Sequence, residues 1–154
     1  MLTQLFLATI MSLLTVGIHL TGLGLLVRLL RFHHRLVRPL KGAPVAVLLV
    51  AAILIFAIHT VEIWAYAVLY LLLGAVNDFE VALYFSTVTY SSIGYGDVVL
   101  GEQWRILGAI EGATGLLMIG WSTAFLVSLL SQLKLLTHDW LASGSSSAEP
   151  KSPR

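Results

Sequence analysis

Three apolar runs dominate the chain: Leu5 to Leu26, Pro44 to Val76, and Trp104 to Leu136. Each is long enough to cross a bilayer as a helix, which takes about 20 mostly apolar residues. The first run contains no formal charge, the second only His59 and Glu62, and the third Arg105 at its head, Glu111 within and Lys134 near its end. A polar island punctuated by glycine, TYSSIGYGDVV (89–99), separates the second run from the third. Ahead of it, NDFEVALYFSTVTY offers Asn77 or Asp78 as an N-cap with acidic residues in the first turn, and so predicts a helix of about twelve residues. Such a helix is too short to span. Irregular backbone at membrane depth is tolerated only where protein buries it or where it lines a water-filled path. The pattern therefore predicts an all-α membrane protein, with three transmembrane helices, one re-entrant helix and an extended polar loop beside an ion or water path.

Composition agrees: 58% of the 154 residues are hydrophobic and 11% charged, with a mean hydropathy of +0.91. A soluble domain has roughly 45–50% apolar residues. The absence of cysteine excludes a disulfide framework, a thiolate metal site and a cysteine nucleophile. The first run lacks the charged leader of a secretory signal and exceeds its apolar length of about 7–15 residues, so it reads as a span.

Charge orients the spans. Arg28, Arg31, Arg35, Arg38 and Lys41, five of the nine basic residues, fall between the first and second runs, and no acid precedes Glu62. The positive-inside rule places that loop in the cytoplasm. The amino terminus is then outside, the segment from Asn77 to Gln103 lies at the outer face, and the carboxyl terminus is cytoplasmic. The charges expected at the outer face are all acidic: Asp78, Glu80, Asp97 and Glu102. The tail SGSSSAEPKSPR is too polar to pack and reads as disordered.

SSIGYGD (Ser91 to Asp97) resembles the selectivity filter of the potassium-channel family, whose pattern is T-T-V-G-Y-G-D. The resemblance covers about Pro44 to Leu136 and leaves the first span outside. It implies an outer helix at 44–76, a pore helix at 78–91, a filter at 92–97 and an inner helix at 104–136. These are preceded by an additional helix at 1–30 and a basic loop at 31–43, and followed by a tail at 137–154. It also implies a homotetramer, since such a filter replaces the hydration shell of K+ with carbonyl rings from four loops. The implied K+ ligands are the carbonyls of Ser92, Ile93, Gly94 and Tyr95, with the Ser92 hydroxyl. Gly94 and Gly96 permit the left-handed backbone that aligned carbonyls require.

Asp97, Tyr84, Phe85, Val88 and Thr89 are the implied supports of this filter. Ser92 stands where the family usually has Thr, keeping the hydroxyl without the stiffening methyl, and Ile93 stands for Val. Tyr84-Phe85 replaces an aromatic pair that is often Trp-Trp, and Phe85 cannot donate the indole hydrogen bond that braces the filter aspartate. Gly115 falls near the family's hinge glycine. Gly112, Gly115 and Gly120 are also explained by close helix packing, and for Gly115 both readings stand.

Ionisable residues within spans are functional candidates by default. With Glu62 about 11 residues before the outer end of its span and Glu111 about 8 after the start of the next, 1.5 Å per residue puts both roughly 12–17 Å deep. His59 shares a face with Glu62 by i, i+3 spacing. A His59–Glu62–Glu111 cluster is expected, as a structural network, a pH-sensitive gate in which the carboxylates share a proton, or a metal site. His19 is expected to bond a neighbouring helix and is assigned no site. The arginine spacing resembles a voltage-sensor helix, but only one span precedes the pore region, and an anchor to anionic lipid is the simpler reading, at about 1 kcal/mol per basic residue.

The expected function is passive conduction of K+ by a homotetramer in the plasma or inner membrane. No catalytic residue, no cofactor beyond the transported K+ and no nucleic-acid partner are expected. One alternative is a non-conducting subunit that co-assembles with another channel. The other, an intramembrane metalloenzyme built on His59-x-x-Glu62, has only Glu111 as a further ligand.

Overall fold

The computed structural model describes residues 1–32 and 44–132. Most of the basic loop, with Arg35, Arg38 and Lys41, and the whole tail at 137–154 lie outside the described residues, as does the end of the inner helix beyond Gln132. Among the described residues are four helices and no strand: α1 (Leu2–Phe32), α2 (Pro44–Leu72), α3 (Phe79–Tyr90) and α4 (Arg105–Gln132). Three are long and apolar enough to cross a membrane, over Leu2–Leu30, Val45–Leu72 and Arg105–Gln132.

The helix ends have local causes. α2 opens on Pro44, whose fixed φ and missing N–H suit a first helical position. It closes at Leu72, four residues short of the expected end at 76, because Gly74 turns left-handed at φ 62°. There the Gly74 N–H donates to the Leu71 carbonyl at 3.0 Å and the Ala75 N–H to the Tyr70 carbonyl at 2.9 Å, so the last turn keeps its bonds as the chain reverses. Asp78, one of the two N-cap candidates, caps α3 by accepting the Val81 N–H at 3.1 Å. α3 runs 79–90, within the expected 78–91, with Ser91 as its C-cap.

The short α3 is wedged between α2 and α4, and α1 packs on both of these long helices. On α1 the buried positions are Gln4, Ala8, Met11, Thr15, His19, Leu23 and Leu26, a three- and four-residue repeat that makes one stripe. The polar members of that face bond across. The Ile106 N–H donates to Gln4 Oε1 at 3.1 Å, and the Ser12 and Thr114 hydroxyls meet at 3.0 Å. Lipid is as apolar as leucine, so such bonds and close packing hold membrane helices together. The aromatic core beneath, Tyr66, Tyr70, Phe85 and Tyr90, lies where α2, α3 and α4 converge.

Candidate functional site

The loop after α3 hangs from the last turn of that helix. The Ser92 N–H donates to the Thr89 carbonyl at 2.9 Å, and the N–H groups of Ile93 and Gly94 share the Val88 carbonyl at 2.9 and 3.0 Å. Alternate residues then take positive φ: Ser92 at 59°, Gly94 at 56° and Gly96 at 77°. Ser92 is the only non-glycine described residue there, and its unbranched side chain makes that conformation cheaper than threonine would. The Ser92 hydroxyl reaches the Gly112 carbonyl of α4 at 3.4 Å. Ile93 and Tyr95 lie open, 54% and 70% exposed, on a surface that this single chain leaves uncovered.

Tyr84, one of the implied filter supports, braces the aspartate that Phe85 cannot reach with an indole bond. Its hydroxyl donates to Asp97 Oδ2 at 2.7 Å, tying the far end of the loop to the middle of α3. Phe85 points inward instead, edge-on to Tyr70 with ring centroids 5.3 Å apart. The Tyr84 bond holds the Asp97 carboxyl below its ordinary value. A depressed carboxylate keeps its bond above the usual carboxylate range and loses it as pH falls through the lowered value. Tyr84→Phe is therefore expected to speed amide exchange across Ile93–Val99 a few-fold at pH 7, with the difference from the parent vanishing as pH falls through the lowered Asp97 value. Exchange measured at matched pH values checks this, and a difference that persists at low pH would deny Asp97 the bracing role.

Deeper in the molecule the expected His59–Glu62–Glu111 cluster is divided. Glu111, fully buried, accepts from the Tyr70 and Ser86 hydroxyls. No hydrogen bond among the described residues joins it to His59 or Glu62. The reason is depth. Measured from Leu72 and Arg105, Glu62 sits about 15 Å and Glu111 about 9 Å along its helix, roughly one turn apart. Each acid accordingly meets a different turn of α3, Ser86 or Tyr90.

Glu62 gathers residues from all four helices. Its Oε1 contacts His19 Nδ1 at 3.0 Å, and its Oε2 contacts His59 Nδ1 at 2.9 Å and the Tyr90 hydroxyl. The two imidazole Nε2 atoms both face the Ser122 hydroxyl, His59 at 3.0 Å and His19 at 3.4 Å. His19, given no site from sequence, is thus a full member, and Tyr90 and Ser122 join it. Its position in the α1 stripe was a signal, but its partner lies 43 residues away. The metal reading had named His59, Glu62 and Glu111. The three groups that converge are His19, His59 and Glu62, with ligand atoms within 4.8 Å of one another.

Two other residues singled out from sequence have clear surroundings. A Cβ on Gly115 would collide with the Tyr90 carbonyl, so this glycine permits α3 and α4 to touch. Arg28 lines a cavity of about 620 Å³ between α1 and α2, among Gly22, Leu25, Leu29 and Ile58.

A short helix wedged between two membrane-spanning helices, ending in a loop of alternating backbone hand, defines a helical membrane protein of the channel class. Residues 46–132, more than half of the chain, match the family described as Ion channel, and the protein belongs to that family. The matched stretch contains nearly all of α2, α3 with its loop, and the whole of α4, and leaves α1 outside. No curated protein and no solved structure matches the chain.

Proposed function

We propose that this ion channel subunit conducts potassium passively and selectively, four copies surrounding one pore. The carrying observation is the positive φ at Ser92, Gly94 and Gly96 within SSIGYGD. Backbone of alternating hand turns successive carbonyls to one side, the arrangement that substitutes for the hydration shell of K+. Ser92, Ile93, Gly94 and Tyr95 are the ligand residues in this reading, Gly96 gives backbone freedom, and Asp97 adds external negative charge. The uncovered Ile93 and Tyr95 favour assembly, since one loop supplies one strand of a filter. The basic loop faces the cytoplasm and attracts anionic lipid, with Arg28 at the cavity between α1 and α2.

Uptake into vesicles containing the purified chain tests the proposal. The expected result is potassium uptake above sodium by at least about tenfold, equivalent to ~1.4 kcal/mol. Equal uptake of both ions would refute the selectivity. Silence in single-channel recordings of assembled protein would favour the non-conducting alternative.

A further inference from the structure

We propose that His19, His59 and Glu62 form a site for a divalent transition metal of the zinc class, clasping α1 to the channel domain. This assignment is independent of which ion the channel conducts. The ligand types are those zinc takes in open sites, two imidazoles and a carboxylate. Zinc ligands lie about 2.0–2.2 Å from the ion and hence roughly 3.3 Å from one another. Both Nδ1 atoms already stand 2.9 and 3.0 Å from the Glu62 carboxylate oxygens, so small adjustments admit an ion. The Tyr90 hydroxyl stands beside them, in contact with Glu62 and 3.1 Å from His59 Nδ1.

The hydrogen bonds of the cluster close around one proton shared by Glu62 and the histidines, and they close equally around a metal. With a metal on both Nδ1 atoms, each ring carries its proton on Nε2. Ser122 then accepts from both, one with each lone pair, and acts as the outer partner that orients metal-bound histidines.

The clasp explains polar residues that conduction does not use. His19 and Glu62 are fully buried and Ser122 nearly so. A metal there would tie α1, α2, α4 and the last residue of α3 at one point. Because Tyr90 directly precedes the loop, ligation would also fix the helix end from which that loop hangs.

The probe is zinc itself, added to the full chain purified through a tag without histidine, with free metal removed before elemental analysis. A companion in which His33, His34 and His138 are all alanine removes the other histidines. Both are expected to retain one zinc per chain. His19→Ala and His59→Ala, eluting as the parent does, should retain less than a tenth of that, and Ser122→Ala should weaken binding about 10–100-fold. Should the histidine variants fail to assemble, cobalt(II) bound to the parent decides, because a tetrahedral nitrogen–oxygen site gives strong visible absorption and an adventitious octahedral one does not. No zinc retained by the parent, retention undiminished in assembled His19→Ala, or octahedral cobalt would overturn the site.

Discussion

Channels carrying Gly96→Ala are expected to lose selective potassium flux while their helices and assembly survive. Gly96 sits at φ 77°, a left-handed conformation that costs an L side chain about 1–2 kcal/mol. No neighbour crowds the position, so the penalty is purely conformational. The loop has few bonds with which to resist it, chiefly the shared Val88 carbonyl and the Tyr84–Asp97 brace. Relief by rotating the peptide is therefore easier than any rearrangement of α3 or α4. In a fourfold assembly that rotation would withdraw one carbonyl ring from the ion path.

Gly74→Ala is the matched control. Gly74 has nearly the same φ, 62°, and equally open surroundings, but it closes α2 far along the chain from the loop. It should lose about 1 kcal/mol of stability and keep its flux. Paired potassium and sodium uptake into vesicles separates the two. Unchanged selectivity in Gly96→Ala would sink the filter assignment, and equal loss in both variants would trace the effect to general destabilisation.

The parts of the fold that were readable from sequence depend on local pattern. Apolar runs and one acidic N-cap located all four helices, because span length and capping are properties of neighbouring residues. The overlong end set at Val76 is the one local signal misread. Gly74 punctuates an apolar run that continues to Val76, and hydropathy does not register a left-handed cap. The site was less readable wherever a contact closes over a long stretch of chain. Tyr84 reaches Asp97 only because the loop returns beside the middle of α3, a path that residue spacing does not encode. Glu62 and Glu111 seemed equally deep while the ends of their helices were uncertain. A difference of one turn was enough to assign them different partners, Tyr90 for one and Ser86 for the other. His19 became informative only when the stripe on α1 was seen to face Glu62.

The same helix contact gives the second large expected effect, at Gly115. A methyl group there would strike the Tyr90 carbonyl oxygen and approach the Tyr90 Cγ at 2.8 Å. Backbone cannot swing aside as a flexible side chain can, so α4 must move away from the end of α3. Overpacking of this kind costs typically 1–3 kcal/mol. The displacement also falls on Tyr90, whose hydroxyl bonds Glu62, and on the Ser92 contact with Gly112 one turn earlier on α4. Gly115→Ala is thus expected to lower the thermal midpoint of the assembled channel by several degrees and to abolish most of its flux. Gly120→Ala on the same helix meets nothing within 4 Å and should keep both, with a gain of roughly 0.5–1 kcal/mol from better helix propensity. Melting curves and vesicle flux for the two variants distinguish packing from hinging. If Gly115 acted as a hinge alone, alanine would leave the melting temperature unchanged and alter only the flux. That outcome would remove the close approach of α3 and α4 from the account of how the loop is held.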